Sequence, residues 1–175
     1  VGDEGGVGLI TYMRTDSTRI SPEAQAEARQ FIGERYGAPF LPERPPKYRS
    51  GKGAQEAHEA IRPTSVLREP ARLASFLTRE QLALYTLIWN RFVASQMKPA
   101  RIDQTSVDIA AGEALFRATG SVMTFPGFTV LYVAGKDTED EENGEKSGRL
   151  PLLQNDQVLG LEQLLPKQHF TQPPP

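Results

Sequence analysis

At 175 residues, with 38% hydrophobic and 24% charged side chains, the chain has the length for a buried core and the composition of a globular protein. No apolar run approaches the roughly 18–20 residues that span a bilayer, and the N-terminus shows no signal-peptide pattern. The absence of cysteine excludes disulfides and thiolate metal sites and is compatible with a cytoplasmic setting. The formal charge of −2 hides an asymmetry. Residues 1–101 carry 15 Lys/Arg against 11 Asp/Glu, whereas residues 102–175 carry 5 against 11. Any contact with a polyanion therefore belongs to the first half.

In chain order, Val7–Arg14 is apolar and β-branched behind a glycine-rich start and reads as a short strand or extended segment. Ser21 is a good N-cap and Pro22 fits the first helical position, so a helix should run to Tyr36 and stop at Gly37. Residues 37–53 read as loop, broken by Pro39, Pro42, Pro45 and Pro46. A short helix is expected over Ala54–Ile61, ended by Pro63, which disfavours helical geometry at Arg62. The clearest helix is 79–97, with capping-box spacing at Thr78 and Gln81 and a core stripe of Leu82, Tyr85, Trp89, Phe92 and Val93. Strands are expected at Thr105–Ala110, Ala114–Thr119 and Phe128–Val133, and another within 157–170. The acidic run 136–148 reads as a solvated loop. The fold class is α+β, a basic helical half followed by an acidic β half.

Two clusters carry chemistry. In the first, Tyr12, Arg14 and Asp16 alternate, and on extended backbone they would share a face. A phenol with a pKa near 10 is a poor nucleophile at neutral pH unless a cation favours its phenolate. A guanidinium can also pair with a phosphate through two hydrogen bonds. Tyrosine beside arginine thus suits attack on a phosphodiester. Spacing alone favours a core tyrosine next to an Arg14–Asp16 surface pair. In the second cluster, a helix would place Gln55, His58, Glu59 and Arg62 on one polar stripe. Just upstream, Arg44, Lys47, Arg49 and Lys52 interleave with Tyr48, which suits a nucleic-acid backbone and a stacked base, or merely a solvated basic loop. A zinc-protease helix is excluded because Arg62 stands where the second histidine belongs. Gly51-Lys52-Gly53 lacks the hydroxyl residue of a phosphate loop, and no G-x-S-x-G elbow occurs.

The segment GLITYMRTDSTRIS at 8–21 closely resembles the active-site signature of type IA DNA topoisomerases. AQEAHEAIRPT at 54–64, RFVASQM at 91–97 and QHFTQPPP at 168–175 resemble three further segments of that family, in family order. The resemblance implies that Tyr12 is the nucleophile forming a 5′-phosphotyrosine link with one DNA strand and that Arg14 helps position the scissile phosphate. It places His58 near the DNA in a supporting role, with Arg62 inside the same motif; Arg44, Lys47, Arg49 and Lys52, with the interleaved Tyr48, are expected as DNA contacts from their charge and spacing. Asp16, Ser17 and Glu59 fall to supporting roles.

By the same resemblance, residues 1–98 correspond to a winged-helix-like domain carrying the tyrosine, and 99–175 to part of a β-rich arch that acts as a hinge. The family's Toprim domain, with its Mg²⁺-binding acidic cluster, would lie outside this chain, so no cofactor is expected within it. The implied partners are single-stranded or negatively supercoiled DNA and the remaining domains of the same enzyme, in a cytoplasmic, nucleoid-associated setting without a membrane. The implied activity is ATP-independent relaxation, with the isolated chain inactive. The alternatives are a non-catalytic single-stranded DNA-binding module and an interaction or hinge domain.

Overall fold

The computed structural model describes residues 6–48, 58–133, 148 and 150–168. Arg49, Lys52, Gln55, the first half of the expected 54–61 helix, the acidic run up to Ser147 and residues 169–175 of the last resembling segment lie outside this set.

Helix α1 spans Pro22–Arg35 and begins as its sequence dictates. The Ser21 hydroxyl accepts from the Ala24 amide, and Pro22 occupies a position whose N–H has no helical partner. The amides of Tyr36 and Gly37 close the other end on the Ile32 carbonyl. A 3₁₀ turn at Ala38–Phe40 follows, and the Phe40 carbonyl accepts from the Lys98 amide. A short helix α2, Pro70–Leu73, was not expected from the sequence. Helix α3, Arg79–Ser95, opens with a complete capping box in which Thr78 and Gln81 exchange bonds at 3.0 and 3.3 Å.

The core forms where α1 and α3 face each other. Ala28, Phe31 and Ile32 of α1 meet Tyr85, Trp89, Phe92 and Val93 of α3, with Val66, Leu73, Met97 and Leu131 closing the cluster. Trp89 meets Phe31 edge-on at 5.6 Å, and its indole N–H donates to the Val66 carbonyl at 2.9 Å. Each fully buried large side chain contributes about 1.5–3 kcal/mol. This cluster therefore holds the segments without regular structure against the helices.

Strands β1 (Arg101–Ala111) and β2 (Ala114–Phe125) form an antiparallel ribbon, longer than expected at both outer ends. Gly112 and Glu113 make the two-residue turn. The positive φ falls on Gly112 alone, as a type II′ turn requires. The ribbon returns to the helical part at Gly127, where the backbone passes so close to the Pro99 carbonyl that a Cβ would collide with it. The Phe128 amide donates to the Lys98 carbonyl at 3.0 Å across this crossing.

Three expectations are corrected. Residues 128–133 are helical, not extended: a 3₁₀ turn at Gly127–Thr129 runs into a one-turn helix α4, Val130–Val133. Six apolar residues carry no period that separates strand from helix, and the Thr129 hydroxyl bonds the Pro126 carbonyl while Leu131 turns into the core. The described residues between 157 and 168 form no strand; they find no pairing partner, and Leu161, Leu164 and Leu165 stand exposed. Residues 58–61 are irregular, for a reason that belongs to the site.

Candidate active site

The two chemistry-bearing clusters, about fifty residues apart in sequence, are fastened edge to edge. Ile10 and Pro63 form an antiparallel bridge. The Thr11 amide donates to the Arg62 carbonyl at 2.9 Å, and the Thr64 amide donates to the Leu9 carbonyl at 3.0 Å. The Thr11 hydroxyl donates to the Ala60 carbonyl at 2.8 Å and accepts from the Arg62 amide at 3.0 Å. The Thr64 hydroxyl reaches the Gly8 carbonyl, and the Ala60 amide donates to the Arg19 carbonyl. The amide and carbonyl of Ala60 and of Arg62 and the amide of Thr64 are committed to the 9–19 segment and are not available for helical bonds. Of Val7–Arg14, expected as a short strand or extended segment, only Ile10 makes a ladder bridge, because its neighbour is a single short extended run.

Beyond Tyr12 the chain tightens. The Arg14 amide donates to the Tyr12 carbonyl at 3.0 Å, a three-residue turn centred on Met13. Strict alternation is lost there, yet the side chains gather. Arg14 Nε stands 2.9 Å from Asp16 Oδ2, within ion-pair distance although out of line for a hydrogen bond. His58 Nδ1 lies 3.7 Å from the same oxygen. The Tyr12 and His58 rings are 6.4 Å apart. Both Asp16 oxygens and His58 Nδ1 are buried and lack a hydrogen-bond partner. Closing the Asp16–His58 gap by roughly 0.8 Å would satisfy both at ordinary hydrogen-bond length.

Tyr12 itself is 77% exposed, which rules out the core-tyrosine reading of the sequence. A large aromatic ring thus projects from a clamped segment. Ser17, 7% exposed, accepts the Arg19 amide and shapes the turn behind Asp16. Arg62 is committed inward: Nε and Nη2 bond Glu59 Oε2 at 2.9 and 2.6 Å, and Nη1 bonds the Pro63 carbonyl at 3.0 Å. In the basic loop, Arg44 and Lys47 are exposed. The loop is held from behind by Gln25 on the Pro46 carbonyl and Arg29 on the Pro42 carbonyl. The Tyr48 hydroxyl donates to the Ser95 carbonyl at 2.6 Å; burial pushes its phenol pKa up, partly offset by the nearby Arg91 guanidinium. Among the described residues no group of three or more His, Cys, Asp or Glu is placed to hold a metal ion. No helix among them is long and apolar enough to cross a membrane.

Comparison with known proteins decides the family. The sequence matches the DNA topoisomerase family over residues 5–175. The chain belongs to that family. It is 50% identical over 177 aligned residues to DNA topoisomerase 1 of two Xylella fastidiosa strains, Temecula1 and 9a5c. Each alignment takes in 100% of this chain and 22% of the relative. The structure resembles full-length topoisomerase I of Thermotoga maritima, with a TM-score of 0.62 and 37% identity over 75% of this chain and 20% of that one. The chain thus spans about a fifth of the length of these topoisomerases.

Sequence reading singled out Tyr12, Arg14, Asp16 and His58, and the fold of this topoisomerase chain brings these four together. It missed Thr11, whose hydroxyl joins the two segments, and Arg91, which faces Tyr48 from α3. Thr11 lies inside the first motif, so its position was visible, but a bond across fifty residues leaves no local signal.

Proposed function

We propose that this chain is the tyrosine-bearing part of a type IA topoisomerase that relaxes negatively supercoiled DNA without ATP. Tyr12 Oη attacks the phosphorus of one strand and forms a 5′-phosphotyrosine bond. The 3′ oxygen leaves and takes up a proton, while the phenolic proton is lost. After the other strand passes, the 3′ hydroxyl reverses the step and releases Tyr12.

The observation that carries this reading is the contrast between Tyr12 and the other tyrosines. Burial raises the phenol pKa of Tyr36, Tyr48 and Tyr85, and the hydroxyls of the last two are spent on the Ser95 and Arg68 carbonyls. Tyr132 is 37% exposed. Tyr12, at 77%, alone combines wide access with a cation and an imidazole nearby. Arg14 is the residue to pair with the scissile phosphate, exchanging its single contact with Asp16 for a bidentate one. His58 supports DNA binding, with the Asp16 carboxylate 3.7 Å from its Nδ1. Glu59 and Arg62 act as a brace on the segment behind it, and Arg44 and Lys47 contribute exposed charge for the DNA backbone, with Arg49 and Lys52 assigned to the same role from sequence.

The Mg²⁺ implied by the family resemblance has no fitting cluster among the described residues, and we assign its binding to another domain of the same enzyme. Residues 1–98 are assigned to the tyrosine domain and 99–175 to part of the arch. The 175 residues alone are expected not to relax a supercoiled plasmid. Mixed with the complementary domains and Mg²⁺, the wild-type chain should form a covalent DNA adduct on denaturing gels and Tyr12→Phe should form none. An adduct of undiminished yield with Tyr12→Phe overturns the assignment.

A further inference from the structure

Next to the tyrosine cluster the surface opens into a groove of about 520 Å³, within the range of small-molecule sites. One wall is Thr18 and Ala60, which continue directly from Ser17 and Glu59 of the site already described. The C-terminal half of α3, with Arg91, and Tyr132 also line it. The Tyr132 ring is steadied edge-on by Phe128 at 6.2 Å. Tyr48 closes the side nearest the basic loop, its ring fixed by the hydroxyl bond to Ser95.

The lining combines fixed aromatic rings with one cation, Arg91, that no carboxylate of the described residues pairs. Arg91 is exposed. Lys47 and Arg44, both exposed, extend the same positive sign along the adjoining loop. Rings on which a base can stack, beside a guanidinium free for a phosphate, are the components by which single-stranded nucleic acid is held. The groove adjoins the Tyr12–His58 cluster through Ala60, whose carbonyl bonds Thr11.

We propose that this groove receives one unstacked base of the single strand bound at Tyr12, stacked on Tyr132 and with a neighbouring phosphate on Arg91. The proposal rests on the reading of this chain as part of a DNA-cleaving enzyme and adds a second holding point beside the cleavage site. By keeping hold of the strand between α3 and α4, it would restrain the DNA while the break is open.

The test uses the whole enzyme carrying this chain and a single-stranded oligonucleotide in which one abasic residue is moved along the sequence. Affinity is read by fluorescence anisotropy. At one position relative to the cleavage site, the missing base should weaken wild-type binding about fivefold to a hundredfold, the range for a base–aromatic stack. Tyr132→Ala should bind the intact strand weakly and lose nothing further at that position. Tyr132→Phe, which keeps the ring, should behave as wild type. Arg91→Ala should reduce the salt dependence by about 0.7, the single-strand increment for one phosphate. Abasic penalties identical in wild type and Tyr132→Ala at every position, or an unchanged salt slope in Arg91→Ala, overturn the groove assignment. Adduct formation by the wild-type enzyme is scored separately: its loss would strike the nucleophile reading, whereas its presence with a silent groove strikes this proposal alone.

Discussion

Replacing Thr11 by valine isolates the bond that joins the two halves of the site. The substitution keeps shape and β-branching and removes only the hydroxyl. Two backbone groups then lose a partner: the Ala60 carbonyl, bonded at 2.8 Å, and the Arg62 amide, bonded at 3.0 Å. A buried group left unsatisfied costs about 1–3 kcal/mol. The site is part-buried, so some of that loss is recovered by water, and a net cost of about 2 kcal/mol is expected for the pair. The flanking bonds from Thr11 to Arg62 and from Thr64 to Leu9 remain, so the fold should persist. For a chain of this size the cost corresponds to a fall of about 4–8 °C in Tm. Amide hydrogen exchange reads the effect locally: protection at Thr11 and Thr64 should fall about thirtyfold, the equivalent of 2 kcal/mol, while that of the α3 interior changes less. Thr11→Ser should restore most of it. A Tm and protection pattern indistinguishable from wild type in Thr11→Val would refute the claim that this hydroxyl fastens the tyrosine segment.

Two further outcomes follow from other parts of the fold. Gly127→Ala adds a Cβ at φ +50° against the Pro99 carbonyl, so it should destabilise by more than about 1–3 kcal/mol, read as a shifted urea midpoint; a neutral effect would mean the crossing is looser than described. Tyr85 is 4% exposed, and burial pushes its phenol pKa up to about 12 despite the opposing pull of Arg68. Its folded-state value is raised above the ordinary 10, so its stabilising contribution is complete below pH 10 and is lost as pH rises through 12. Urea denaturation across that window should show a shallower loss for Tyr85→Phe than for wild type, with an unchanged slope counting against it.

What the sequence disclosed and what it concealed divide by range. Ser21, Pro22 and Gly37 bound α1, and Thr78 with Gln81 opens α3, because caps act within one turn and are written in neighbouring residues. Trp89 and its neighbours repeat at helical spacing, so their burial was legible too. Residues 58–61 went the other way. Their local pattern favours a helix, but Thr11 and Arg19 draw their backbone into long-range bonds that no local pattern encodes. Phe128–Val133 failed for a related reason, since Leu131 is recruited by the core and the apolar run carries no period to choose between geometries.

The site shows the same division. Tyr12, Arg14, Asp16 and His58 were named from their motifs, and the fold supplies their meeting. The inward commitment of Arg62, the docked hydroxyl of Tyr48 and the groove facing Arg91 depend on contacts between segments far apart in the chain. They became visible only in three dimensions.

The central claim is that Tyr12 is the residue that becomes bonded to DNA. The most direct measurement is to trap the covalent adduct in the complemented system, digest protein and DNA, and locate the nucleotide-bearing peptide by mass spectrometry. Five tyrosines compete. The phosphonucleotide is expected on Tyr12, in the peptide ending at Arg14; its appearance on Tyr36, Tyr48, Tyr85 or Tyr132 would remove Tyr12 as the nucleophile.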